Sequence, residues 1–506
     1  MELREHNRKE CLANTRSAVI RSIIDWIADE SSGHKEVLWL YGLAGSGKST
    51  LATTIAGMMR DLHRLGAFFF FDRDVQGRDT ATLITMLAYQ LAQFDPRIGV
   101  KVSQIVESIP GIAGMPPGFQ FSNLLSADAL KSVEWTGGTV VLIIDALDEC
   151  GSIEERESLL QALSKGFQIL PPFIRVIVVS RLESDIQRAF GTHPAVYPFS
   201  LDIESAANHE DISRFFKYRL DEIRKANLSL RSDWPGDDKV SALIHSARGL
   251  FVWASTACLY INDYDPDQRL NQLIPPQSEV NSPEHVNQQL SMTSSKPFAR
   301  LDQLYKTGLE SVGSWDNPSF RSDCCNIIGV ILCAIVPVSC LVIDTLLELP
   351  PSRTCFQSIS HLGCVLRIDK TGAVRILHPS FHDYLSGRCS TEPWSIDLQL
   401  HKKELALHCI NLLNKTLREN IHGLTLPHWV QMEVLPEAVS YACRFWVEHT
   451  CLISHAADDV VDRIDLFLGR HLLHWMEAMA VLKSHDSTIR SLRNLLAWIQ
   501  VCPATF

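Results

Sequence analysis

The sequence has no C-x-x-C pair and no Cys/His spacing suited to a metal. Its 14 cysteines are scattered, with Cys324-Cys325 the one adjacent pair. That excludes a zinc ribbon and argues against a disulfide framework, so free thiols in a reducing compartment are expected. Positive charge is also short. Against 58 Asp and Glu stand 47 Lys and Arg, a net charge of -11, which argues against broad nucleic-acid or anionic-membrane binding as the main activity. The start, MELREHNRKECLANTR, lacks the apolar core of a secretory leader, so a cytoplasmic location is expected. No period of twenty to fifty residues repeats. What is present is ordinary globular composition, 46% hydrophobic and 21% charged, long enough for three or four domains.

Long apolar runs are nearly absent, with one exception. CCNIIGVILCAIVPVSCLVI (324–343) has the length of a membrane span. Asn326, Pro337 and Ser339 interrupt it, Asp323 and Asp344 flank it, and no aromatic or basic anchors border it. The pattern predicts a buried helix, a break at Pro337, and a second helix from about Leu341. No membrane span is expected.

WLYGLAGSGKSTLATTIAGMM (39–59) carries the first chemistry. Gly42, Gly47, Lys48 and Ser49 fit G-x-x-x-x-G-K-[ST], with Gly45 and Thr50 in the same stretch. A strand run, EVLWLY (36–41), precedes it, and Leu51, Ile55, Met59 and Leu62 recur afterwards at helical spacing. Glycines let backbone N–H groups wrap towards phosphate oxygens, and a helix N-terminus adds its positive dipole end. In that setting Lys48 reaches the β- and γ-phosphates and Ser49 holds Mg²⁺.

A second run, TVVLIIDALDEC (139–150), reads as a parallel strand covered on both faces and ending in Asp145. Carboxyl ends of such strands face ligands. Asp145 is placed to bind Mg²⁺, and Asp148 and Glu149 to orient or deprotonate water. The alternative is a solvated acidic loop before a helix at 153–165. Further strands are read at IRVIVVSR (174–181), GAFFFFDRD (66–74) and AVYPFS (195–200). Arg181, at the end of the first of these, would sense a γ-phosphate, or else form a surface ion pair. Lys48, Asp145 and Arg181 thus converge on one edge of one sheet, which implies a nucleoside triphosphate with Mg²⁺.

DALDE followed by a strand ending in SR resembles the NACHT family of STAND-class signal-transducing P-loop NTPases. CLANTRSAVIRSIIDWI, ARGLFVWASTACLYI, LDQLYKTGLESV, ILHPSFHDYLSG, AVSYACRFWVEH and LLHWMEAMAVL extend the likeness to its fungal branch. There the chain resembles the nephrocystin-3-like N-terminal NTPase region of NACHT/WD-repeat proteins. The resemblance implies an α/β P-loop NTPase with a parallel five-stranded sheet, followed by a helical lid, a winged-helix domain and an all-α C-terminal arm. The corresponding boundaries are a helical lead-in at 1–34, the NTPase core at 35–202 and the lid at 203–270. A polar linker at 271–299, a helix plus winged helix at 300–392 and the arm at 393–506 complete it. Lid helices are expected at 204–225, 238–262 and 300–312. The winged helix would contribute a third helix near 353–362 and a hairpin turning at Lys370-Thr371-Gly372.

The family likeness also implies that His378, in LHPSFHDYL, contacts the ADP β-phosphate and keeps the molecule closed. The residues alone also allow a histidine hydrogen-bonded within its fold. ATP/ADP and Mg²⁺ are the implied cofactors, and slow hydrolysis the implied timer. Self-association on activation is expected, with a role in fungal non-self recognition or programmed cell death. Few residues precede the phosphate loop and no repeat array follows the arm. The expectation is a truncated member, a fragment, or a chain working with a separate protein partner. Two other classes share some of these features: a fast-turnover ATPase and a winged-helix DNA-binding regulator. The DNA reading is disfavoured, because LVIDTLLEL (341–349) holds Asp344 and Glu348 and neither Lys nor Arg.

Overall fold

The computed structural model describes residues 9–29, 35–72, 78–151, 153–274, 298–313, 315–419, 435–453 and 458–501. The chain divides into two compact units, Met1–Leu301 and Asp302–Phe506.

In the first unit, five apolar runs form β1 (Val37–Tyr41), β2 (Leu65–Phe70), β3 (Val140–Asp145), β4 (Ile174–Ser180) and β5 (Val196–Ser200). All pair in parallel, in the order β2-β3-β4-β1-β5. The inner runs lack polar alternation because helices cover both faces. Val140, Leu142 and Ile144 join Trp39, Val176 and Val178 in one core. That core is closed by α3 (Leu83–Phe94), α4 (Pro96–Ser108), α5 (Pro117–Leu124), α6 (Ala127–Leu130), α7 (Ile153–Phe167) and α8 (Ser184–Phe190). Val141 and Ile143 point the other way. They pack with Leu38, Leu40, Ile177 and Val179 against α1 (Ser17–Ala28) and α2 (Lys48–Asp61).

On α2, Leu51, Ile55 and Met59 are buried as their spacing predicts, whereas Leu62 is 60% exposed. The helix has ended there: Leu62 is its C-cap, and His63 takes φ 54°. Of the residues expected at the end of β2, Asp72 is described and Arg73 lies outside the described residues.

Among the described residues, β5 is followed by α9 (Ala206–Ala226), α10 (Asp237–Ala247), α11 (Phe251–Ile261) and α12 (Pro266–Leu273). The single helix expected over 238–262 is therefore two. Arg248 (φ 44°) and Gly249 (φ 77°) reverse the backbone between them. Asn208 Nδ2 donates to the carbonyls of Ile203 at 2.6 Å and Gly249 at 3.0 Å and fixes the turn. The polar linker expected at 271–299 falls mostly on residues outside those described; α12 runs to Leu273, and α13 (Ala299–Glu310) begins where description resumes.

In the second unit the twenty-residue apolar run divides as Pro337 and its polar residues predict. α14 (Pro318–Cys333) starts on Asn317, whose Oδ1 accepts from the N–H groups of Ser319 and Phe320. α15 (Cys340–Leu346) starts on Ser339, whose Oγ accepts from Val342 N–H. Among the described residues no helix is long and apolar enough to cross a membrane.

α16 (Cys355–Ile359) and a 3₁₀ turn (Ser360–Leu362) lead to an antiparallel hairpin of β6 (Leu366–Ile368) and β7 (Val374–Ile376). Asp369 ties the hairpin's turn, accepting from Thr371 N at 2.8 Å, Ala373 N at 3.1 Å and Arg375 Nε at 2.8 Å. α17 (Pro379–Asp383) follows, then α18 (Leu398–Thr416), α19 (Glu437–Cys451), α20 (Asp458–Val481) and α21 (His485–Val501). The amphipathic face of α18 buries Leu405, Cys409, Ile410 and Leu413. The 13 described cysteines are all free thiols. Cys258 in the first unit and Cys409 and Cys443 in the second are buried.

Candidate functional site

The carboxyl ends of β1, β3 and β4 lie side by side, so the segments leaving them meet at one edge of the sheet. From β1 the chain passes through Gly45 (φ 76°) and Gly47 (φ 93°), conformations that L side chains rarely adopt. Gly42 packs against Leu201, where an added Cβ would sit 3.3 Å from the Leu201 carbonyl. Gly47 caps α2 without a side-chain bond, and the first turn holds no acid. The leading amides of Lys48, Ser49 and Thr50 therefore have no side-chain acceptor at the cap, the arrangement that receives anions at a helix N-terminus.

Lys48 Nζ curls over the loop and donates to the carbonyls of Gly42 at 2.9 Å and Leu43 at 2.8 Å. Its side chain is buried, which pushes its pKa from 10.5 down to about 8. Asp148 opposes that fall, Arg181 adds to it, and Asp145 and Glu149 oppose it. The four groups singled out in the sequence thus all act electrically on this one lysine.

Ser49 Oγ donates to Asp145 Oδ1 at 3.1 Å. Asp145 is fully buried at the end of β3. After it the backbone turns through Ala146 at φ 58° into a short 3₁₀ turn carrying Asp148 and Glu149. Asp148 Oδ1 accepts the Arg181 N–H at 2.9 Å, and its Oδ2 pairs with Arg181 Nε at 3.2 Å. The ion pair considered for Arg181 is thus formed with the candidate acid itself. Arg156 of α7 braces the same loop, donating to the Asp148 carbonyl at 3.0 Å and to Asp185 Oδ2 at 2.6 Å. Glu149 is half-buried beside them.

A hydroxyl and a carboxylate in direct hydrogen bond are oxygen donors suited to Mg²⁺, which keeps waters and takes one or two protein ligands plus phosphates. Among the described residues no group of three or more His, Cys, Asp or Glu could hold a metal. The chemistry fits an ion that arrives with phosphate better than a resident one.

His378 belongs to the second unit. Its Nδ1 accepts from Ser380 N–H at 3.1 Å, capping α17, and lies 2.7 Å from Ser380 Oγ. Ser380 Oγ in turn lies 2.8 Å from Tyr305 OH.

Sequence reasoning missed two features. Trp39 Nε1 donates to Ser180 Oγ at 2.8 Å and links β1 to β4 beneath the site. Arg16, ahead of α1, donates from Nη2 to the Ser46 carbonyl at 2.6 Å. Neither lies in a spaced motif, so neither left a pattern to read.

Residues 16–181 match the family model described as nephrocystin 3, N-terminal, about a third of the chain. No curated protein matches the chain. Similar solved structures include C. elegans PCH-2, at 14% identity over 51% of this chain and 68% of that one, with a TM-score of 0.31. Drosophila ORC bound to DNA is similar at 12% identity over 72% of this chain and 92% of that one, TM-score 0.35. The E. coli MS115-1 HORMA:CdnC:Trip13 complex is similar at 16% identity over 52% and 80%, TM-score 0.26. Likeness at this level says nothing about activity here.

Proposed function

We propose that the chain binds ATP and ADP with Mg²⁺ and acts as a NACHT-type, nucleotide-dependent conformational switch. The observation that carries the nucleotide reading is the Ser49–Asp145 hydrogen bond of 3.1 Å at the mouth of a glycine loop already occupied by Lys48. Gly42, Gly45, Gly47 and the first-turn amides would cradle phosphates, and Lys48 would exchange its two carbonyl partners for phosphate oxygens. Ser49 and Asp145 would hold Mg²⁺, which would supply positive charge against the phosphates. Asp148 keeps Arg181 in place, and Glu149 is the acid assigned to orient water. Slow turnover as a timer follows from the family resemblance.

In this reading residues 203–270 form the lid and residues 300–392 a helix plus winged helix. The role of His378 in holding a closed ADP state rests on the family resemblance alone. So do self-association on activation, an unidentified protein partner and a fungal defence or cell-death role. The DNA-regulator alternative gains no support from α15. Asp344 Oδ1 accepts Cys355 N–H at 2.6 Å, and just beyond the helix Glu348 pairs with Lys415. Neither position supplies the cations that major-groove reading needs.

The test is to purify the wild-type chain, identify the nucleotide it retains, and compare Lys48→Ala. The variant should carry no nucleotide and gain no melting temperature from added ADP. Retention of ADP by K48A would sink the phosphate-loop assignment.

A further inference from the structure

The phosphate loop is held from behind. In a trans peptide the C=O and the following N–H point in opposite directions. Whatever pulls the Ser46 carbonyl outward therefore aims the Gly47 N–H inward, towards the concave face where phosphate would sit. That pull comes from Arg16, whose Nη2 lies 2.6 Å from the Ser46 oxygen. The neighbouring carbonyl, Gly45, is held by the N–H of Val252 at 3.0 Å. Two consecutive loop carbonyls are thus anchored, one from the N-terminal segment and one from the start of α11.

Arg16 is built in rather than draped over the surface. It is 4% exposed, and its guanidinium carbon stands 4.8 Å from the centroid of the Phe251 ring. Its backbone adopts φ 58°, a left-handed conformation that a non-glycine residue holds only when its surroundings fix it. Asp211 of α9, itself buried, supplies that fixing by accepting Arg16 N–H at 3.0 Å. Arg214 Nη1 braces the segment through the Asn14 carbonyl at 2.8 Å. On the other side, Cys11 N–H donates to Thr54 Oγ1 of α2 at 2.9 Å. Burial weakens the hold of Arg16 on its proton and Asp211 opposes that effect.

We propose that Arg16 is a positioning residue: it sets the phosphate loop in its anion-binding shape and couples that shape to α9 and α11. The inference rests on the nucleotide reading of the loop. It assigns Arg16 no contact with the nucleotide. Its effect is exerted through the Ser46–Gly47 peptide, so that displacement of α9 would loosen the phosphate cradle, and phosphate in the cradle would hold α9 in place.

The experiment compares full-length wild type, Arg16→Met and Arg16→Lys by calorimetric titration with ADP and with inorganic pyrophosphate, and by melting without ligand. Loss of one charge-assisted hydrogen bond predicts about a tenfold or greater fall in affinity for both ligands in R16M. R16K, which keeps a charge and a donor, should lose less, and the ligand-free melting of R16K should stay near wild type. Wild-type affinity in a folded R16M overturns the proposal, as does a loss that R16K fails to lessen. Should R16M not melt cooperatively, Arg16→Gln takes its place, and wild-type affinity in R16Q is equally fatal. A wild-type chain that binds neither ADP nor pyrophosphate refutes the nucleotide reading itself, a different and distinguishable failure.

Discussion

At the scale of single residues, Lys48 is a buried cation whose ammonium donates to the carbonyls of Gly42 and Leu43. The glycine-loop motif named it and Ser49, a separate strand run named Asp145, and the fold brings Asp145 to Ser49 across 96 residues of chain. What the motif could not show is the lysine's state. Buried, it titrates near 8 instead of 10.5, because burial costs the charged form more than the nearby acids return. Above pH 8 the empty site has lost the proton that phosphate needs, so ADP binding should take one up. Affinity should fall as pH rises through about 8, by up to tenfold per unit. Folding stability moves the other way. The unfolded lysine keeps its proton to about 10.5, so the unfolded chain binds more protons between 8 and 10.5 and stability rises across that window. Titration at pH 8.5–9 in two buffers of different ionisation heat counts the protons, and an absence of uptake would remove Lys48 from the phosphates. Arg16 was illegible for a plain reason: its partners are a main-chain carbonyl, a carboxylate and a ring, at Ser46, Asp211 and Phe251, and no spacing encodes such a set.

Elements were legible where one physical cause dominates. Apolar runs without polar alternation marked the inner parallel strands, since a strand covered on both faces has no reason to alternate. Pro337 marked the break between α14 and α15. The break at Arg248–Gly249 escaped because apolar residues continue at helical spacing through it, and periodicity is blind to φ. An added Cβ at Gly249 would stand 2.1 Å from the Ile203 carbonyl, at a φ of 77°. Gly249→Ala should therefore destabilise the first unit by about 2–4 kcal/mol, from left-handed strain plus the displaced Asn208 bonds. A melting temperature several degrees lower is the expected reading, and an unchanged one would show that the turn relaxes freely.

For the whole molecule, a nucleotide can act as a switch only through different affinities for two states. If His378 favours the diphosphate-bound one, His378→Leu should release ADP about five- to a hundredfold faster and self-associate more at equal concentration. The substitution also removes the acceptor for Ser380 N–H, a cap worth about 1 kcal/mol, so melting must be followed alongside. Exchange of a fluorescent ADP analogue and light-scattering mass decide the matter together. Unaltered release from a well-folded variant returns His378 to a structural role, as the cap of α17. Sequence placed this histidine by family likeness only, because residue type does not tell a ring nitrogen that accepts at a cap from a ring N–H that donates to phosphate.

The buried thiols give the molecule a chemical clock. Burial holds Cys258 and Cys443 up at about 12, and it raises Cys409 as well, so the reactive thiolate forms only when the surrounding helices part. Cys258 then reports opening of the first unit, and Cys409 and Cys443 opening of the second. An alkylating reagent and a mass spectrometer would time the two units separately, without a label being added to the chain.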